Sequence, residues 1–116
     1  MRLATAVAAA GLALAACGGA SPQSCPVESA PSCASSPPSW SHDVAPLVQA
    51  YCARCHSAGG AAANRPLQTY RDVLSRRGPV LNQIFACRMP PASEPQPSDE
   101  ERQRLVGWLV CRTPPQ

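Results

Sequence analysis

The chain contains no lysine; all ten of its basic residues are arginines, set against seven acids. Aromatic residues number five, two Trp, two Tyr and one Phe. A nucleic-acid-binding surface needs a basic patch or stripe and, for single strands, aromatic platforms, and neither is present. No apolar run reaches the roughly 20 residues needed to cross a bilayer; the longest, Leu3 to Ala16, is shorter. No internal repeat is visible. There is no second CxxC pair and no HxxxH, which a zinc site would use to complete its ligand set. No βαβ pattern surrounds the one CxxC that exists, as a thioredoxin-like redox pair would require.

Cysteine, by contrast, is abundant, with seven in 116 residues. Two of them belong to Cys52-Ala53-Arg54-Cys55-His56. Thiols three apart followed at once by histidine form the attachment pattern for a c-type haem. Positions i and i+3 of a helical turn face the same way, so both sulfurs can reach the two vinyl groups on one porphyrin edge. His56 can then swing under the iron as the proximal ligand. One motif predicts one haem.

Such attachment needs export. Met1-Arg2 followed by the Leu3–Ala16 run has the length and flanks of a signal-peptide core. Its end, Leu14-Ala15-Ala16-Cys17, resembles the bacterial lipobox, in which the cysteine is lipidated; an ordinary signal peptide with an incidental Cys17 is the alternative. Residues 1–16 are therefore expected to be a lipoprotein signal. Acyl chains on Cys17 would hold the protein at the periplasmic side of a membrane, since more than one chain gives firm anchoring. The formal charge of +3 falls to +2 once Arg2 leaves, and two haem propionates would cancel that.

Residues 17–39 are rich in Pro, Ser, Ala and Gly, with Glu28 the single charge. Such a segment buries too little apolar surface to order itself and reads as a tether. Four cysteines remain, Cys25, Cys33, Cys87 and Cys111. An even remainder suits two disulfides, with three possible pairings. Cys25 and Cys33 could close a small local loop, and a Cys87–Cys111 bond would tie two parts of the domain together.

The folded domain is expected from Trp40 onward, residues 40–116. A first helix is predicted from Asp43 to about Arg54, capped by Ser41 or Asp43, with Pro46 in its first turn. Val44, Leu47, Val48 and Tyr51 make one apolar stripe. His42, just ahead, is a solvent-facing or capping residue more readily than a second iron ligand. Gly59-Gly60 marks a turn. A proximal histidine is usually held through its other ring nitrogen, and the Pro66 carbonyl is placed for that, unless Pro66 is a plain turn residue. A second helix is expected over Gln68–Arg77 with Tyr70, Val73 and Leu74 inward, broken by Gly78-Pro79. A third carries Val80, Leu81, Ile84 and Phe85 on its apolar face.

Cys87-Arg88-Met89-Pro90-Pro91 follows. Apart from Met1, Met89 is the sole methionine. A thioether serves well as sixth ligand to haem iron, and the two prolines stiffen the loop that carries it; core filling is the alternative use. Ser98-Asp99-Glu100-Glu101 is a capping box. The helix it opens runs to about Cys111 and is apolar around more than half its girth. Gly107 within it suggests a close crossing by the first helix.

The order helix, CxxCH, short helices, Met-Pro-Pro loop and capped terminal helix with a tryptophan resembles a class I c-type cytochrome domain. More specifically, it resembles the small monohaem domains attached to bacterial lipoproteins, whose endings resemble Trp108-Leu109-Val110-Cys111. The resemblance covers Trp40 to about Cys111. It implies an all-α fold around one covalent haem c, with Cys52 and Cys55 as thioethers, His56 proximal and Met89 distal. The Cys87/Cys111 pair departs from the usual pattern. The function implied is a membrane-tethered one-electron carrier working with redox partner proteins, with no small-molecule substrate and no catalytic group. Its alternatives are a haem-based ligand-binding or sensor module and an electron-entry subunit of a larger redox complex.

Overall fold

The structure, a computed structural model, describes Cys33 and residues 35–111. The expected signal (residues 1–16), Cys17 and Cys25 lie outside the described residues. Four α-helices follow a short π-helical turn, with no strand among the described residues, so the all-α expectation holds. No described helix is long and apolar enough to cross a membrane.

The π-turn spans Trp40–Val44 and leads directly into helix α1, Ala45–Tyr51. Its cap is Ser39, upstream of both expected residues: the Ser39 hydroxyl accepts from the His42 N–H. Asp43 acts one turn later instead, its carboxylate accepting from the Ser39 N–H at 2.7 Å and the Ser39 hydroxyl at 2.9 Å. Pro46 sits in the first turn of α1, where its missing N–H has no intrahelical partner to lose. The predicted stripe is present: Val44, Leu47 and Val48 are buried and Tyr51 packs against them. However, α1 stops at Tyr51, short of Arg54. The Cys52 and Ala53 N–H groups both reach the Val48 carbonyl, so the regular ladder ends where the CxxCH turn begins.

Helix α2, Tyr70–Ser75, is shorter than expected and opens with a capping box between Thr69 and Asp72. Arg76, at φ −112° and ψ 18°, ends it and at once starts helix α3, Arg77–Phe85. Gly78-Pro79 therefore does not break a helix. It lies in the first turn of α3, where proline costs little. Of the residues predicted inward, Val73 and Ile84 are buried, but Leu74 and Phe85 are 38% and 40% exposed. A helix of one or two turns offers the core only a narrow stripe, and these two fall off its edge. α3 closes with a Schellman motif: Cys87 N–H bonds the Ile84 carbonyl and Arg88 N–H the Gln83 carbonyl. Cys87 holds the left-handed position at φ 51°, where glycine is usual and another residue is strained by roughly 1 kcal/mol.

Helix α4, Asp99–Cys111, has the predicted box: the Ser98 N–H donates to Glu101 and the Glu101 N–H to the Ser98 hydroxyl. Leu105, Val106, Trp108 and Leu109 are buried and form the core with Val44, Leu47, Val48, Leu67, Val73 and Ile84. Trp40, Tyr70 and Trp108 meet at one end with ring centroids 5.3–5.7 Å apart. The last carbonyls of α4, those of Leu109 and Val110, are capped from across the fold by the Arg77 guanidinium. Gly107 faces Pro38, which is 3.8 Å from where a Cβ would stand, and not α1 as expected.

The disulfide pairing also differs from expectation. Cys111 is joined to Cys33, with Cα atoms 5.5 Å apart, so neither the Cys87–Cys111 bond nor the Cys25–Cys33 loop forms. Cys87 is itself disulfide-bonded, and its partner lies outside the described residues, since Cys52 and Cys55 are free. The reason is the path of the chain into the domain. Pro38 lies against α4, and that approach brings Cys33 to the helix's C-terminal end, a meeting of distant segments that local spacing does not reveal.

Candidate functional site

A cleft of about 450 Å³ opens between α1, α3, α4 and the loop between α3 and α4. Cys52, Cys55, His56 and Met89 all line it, so the four residues singled out in the sequence meet in one place. His42 is exposed and takes no part in the lining.

The CxxCH turn is built on one carbonyl. The N–H groups of Cys55 and His56 both bond the Cys52 oxygen, at 3.2 and 3.0 Å, which keeps the two thiols one turn apart. The loop that follows folds back over the motif. Ala62 N–H donates to the Cys55 carbonyl and Leu67 N–H to the His56 carbonyl, each at 2.9 Å. Gly60 lies so close to the motif backbone that a Cβ there would overlap the Cys55 carbonyl oxygen and stand 2.7 Å from its carbon. The imidazole Nδ1 of His56 is 2.7 Å from the Arg65 carbonyl oxygen. A carbonyl only accepts, so Nδ1 carries the proton and Nε2 keeps a free lone pair. The orienting carbonyl is thus one residue ahead of the Pro66 carbonyl expected for this task.

Met89 is held at both ends of its peptide unit. Its N–H reaches the Gln83 carbonyl at 3.3 Å, and its own carbonyl accepts from the Arg102 guanidinium at 3.1 Å. Arg102 also donates to the Ile84 carbonyl and the Gln96 Oε1. The Gln96 amide nitrogen in turn donates to the carbonyls of Pro90, Pro91 and Glu94. The loop therefore wraps around two polar side chains, beyond the stiffness its prolines supply. Neither residue was singled out from the sequence. Arg102 falls on the buried side of α4, where a periodicity reading expects an apolar residue; that break in the pattern was the available signal.

Burial pushes the Cys52 thiol up to about 11, leaving little thiolate at neutral pH. Burial also lowers Arg102 from its ordinary value, with Asp99 opposing the shift, but a guanidinium stays charged at any working pH. Tyr51, on the cleft wall, donates its hydroxyl to Glu101 at 2.9 Å. Across the mouth, Arg54 of the CxxCH turn pairs with Glu94 of the distal loop at 3.0 Å; such an exposed pair contributes at most about 1 kcal/mol. In all, four arginines and one carboxylate line the cleft, which makes it electropositive.

Residues 42–109 match the family described as cytochrome c oxidase, cbb3-type, subunit III. The chain belongs to the cbb3-type cytochrome c domain family. No curated protein and no solved structure matches it. As a class I c-type cytochrome domain it binds one haem c covalently and acts as a haem-based electron carrier that passes electrons to redox partners. The cleft of this cytochrome domain fits that group. Its walls are mainly apolar, two free thiols and an imidazole with an unshared Nε2 lone pair line it, and its arginine excess suits a ligand bearing two propionates.

Proposed function

We propose that this protein is a one-electron carrier tethered by lipidated Cys17 at the periplasmic side of a bacterial membrane, with no catalytic activity of its own. In this reading Cys52 and Cys55 form the thioethers, His56 is the proximal ligand and Met89 the distal one. The observation that carries it is the His56–Arg65 hydrogen bond within a cleft also lined by both thiols and Met89. Bound haem supplies a reversible one-electron iron couple. The Arg65 carbonyl holds the proton on His56 Nδ1, orienting the ring and raising its basicity as a ligand. Gln83 and Arg102 hold the Met89 backbone, so the thioether need not be reorganised between redox states.

An absorption spectrum with a CO titration tests this. The wild type should show low-spin, six-coordinate haem that resists CO. Met89→Ala should keep its covalent haem and bind CO readily. Equal CO binding by the two proteins would favour a ligand-binding or sensor module, and absence of haem would sink both readings. The tether is tested by Cys17→Ser, which should leave the membrane fraction with its spectrum unchanged; a variant still pelleting with membranes after a high-salt wash would rule out the lipid anchor. The family description names an oxidase subunit, which supports a second reading, entry of electrons into a larger redox complex. Mild-detergent extraction would then bring the protein out in a high-mass assembly.

A further inference from the structure

Arg102 is the charged side chain in the core, 4% exposed. Its hydrogen-bond acceptors are all neutral: the carbonyls of Ile84 and Met89 and the amide oxygen of Gln96. The ion pairs among the described residues are Arg54–Glu94 and Arg104–Glu100, and neither involves Arg102. The acid that acts on it, Asp99, is exposed and forms no ion pair with the guanidinium. A positive charge is thus buried on the cleft wall without an ion-pair partner among the described residues, one hydrogen bond from the backbone of Met89.

Holding a loop does not require that charge. A neutral amide could donate to the same carbonyls without the desolvation that a buried cation suffers. The charge has a consequence where iron changes oxidation state. The ferric form carries one more positive charge than the ferrous form, and a fixed cation in a medium of low dielectric disfavours it. Resting on the ligand assignment above, we propose that Arg102 is the potential-setting residue of this cytochrome domain: its buried guanidinium, bound to the Met89 carbonyl, raises the reduction potential. The step concerned is addition of one electron to the iron from a donor protein, with no bond made or broken.

Potentiometric titration of the haem-loaded protein and of three variants tests this, each paired with a CO titration. Arg102→Gln keeps donors but removes the charge. Its equilibrium constant for reduction should fall tenfold or more, which is about 59 mV for a one-electron couple. Arg102→Lys keeps the charge and should stay within threefold of the wild type. Gln96→Glu sets a carboxylate against the guanidinium but gives up the amide donor to the Pro90, Pro91 and Glu94 carbonyls; with CO reactivity still at the wild-type level, it should lower the constant at least threefold even if the Arg102 variants fail to fold. Arg102→Gln within threefold of the wild type would overturn the proposal. So would an equal fall in Arg102→Lys, an unchanged Gln96→Glu, or a fall accompanied by CO binding at the Met89→Ala level, because ligand loss would then account for it. A wild type without haem would end the ligand assignment and this proposal together, and its spectrum identifies that case.

Discussion

Two glycines illustrate how differently single positions are constrained here. Gly60 touches the backbone of the CxxCH turn, and a methyl group there would overlap the Cys55 carbonyl. Backbone atoms cannot rotate away as a side chain can, so Gly60→Ala should displace the turn that presents both thiols. The expected cost is about 1–3 kcal/mol, with reduced haem loading measured as haem absorbance per protein. Gly107 meets Pro38 only at ordinary contact distance. There an alanine gains helix propensity without a clash, and Gly107→Ala should stabilise the domain by up to about 1 kcal/mol in a thermal melt. In the sequence Gly60 marks a turn and Gly107 suggests a close crossing; the opposite signs come from what lies across from each.

At the level of elements, three helix starts depend on carboxylates. Asp43 is held below the usual carboxylate range chiefly by the Ser39 N–H, with the Ser39 hydroxyl assisting. Asp72 is lowered chiefly by the Thr69 hydroxyl and then the Gln68 N–H. Glu101 is lowered chiefly by the Ser98 N–H and then the Tyr51 hydroxyl. Groups depressed on folding contribute stability above their unfolded values and lose it as pH falls through their folded values. Stability should therefore be flat with respect to these groups at neutral pH and fall below about pH 4, as measured by urea midpoints across pH. Ser98→Ala should cost about 1 kcal/mol at pH 7 and make that acid loss shallower, because part of the Glu101 shift goes with it. An unchanged slope in Ser98→Ala would mean that the Ser98 hydroxyl does not help to hold Glu101 below the usual carboxylate range. These boxes were legible because they rest on residues three apart; the end of α1 was not, because the switch at Val48 from the regular ladder to a shared acceptor is a matter of backbone geometry.

Over the whole molecule, the Cys33–Cys111 bond joins residues 78 apart in sequence. Chain-entropy reasoning assigns a loop of that length roughly 4 kcal/mol, less where the Cys87 disulfide and the covalent cofactor already restrict the unfolded chain. Cys111→Ser should lower the melting temperature by on the order of 10 °C, given that about 1 kcal/mol moves a domain of this size by 4–8 °C. Its CO reactivity should remain that of the wild type, because this bond ties the entering chain to the end of α4 and leaves the loop of Met89 to Gln83, Arg102 and Gln96. A variant with an unchanged melt, or one that takes up CO as Met89→Ala does, would refute this division of roles.

What the sequence determined by itself was whatever chemistry confines to a few neighbouring residues. The CxxCH spacing named the cofactor class, Ser98 and Glu101 marked the last helix, and the Val44-Leu47-Val48-Tyr51 stripe its packing partner. The lone methionine among prolines also turned out to line the cleft with the two thiols and His56. Only the tertiary structure decided the relations between distant residues. It selected the Arg65 carbonyl over that of Pro66, since a one-residue difference in a loop depends on how that loop closes over Gly60. It paired Cys111 with Cys33, since the entering chain runs along α4. It also placed Arg102 against Met89, since a buried guanidinium is accommodated only where several carbonyls converge, and convergence is a property of the folded chain.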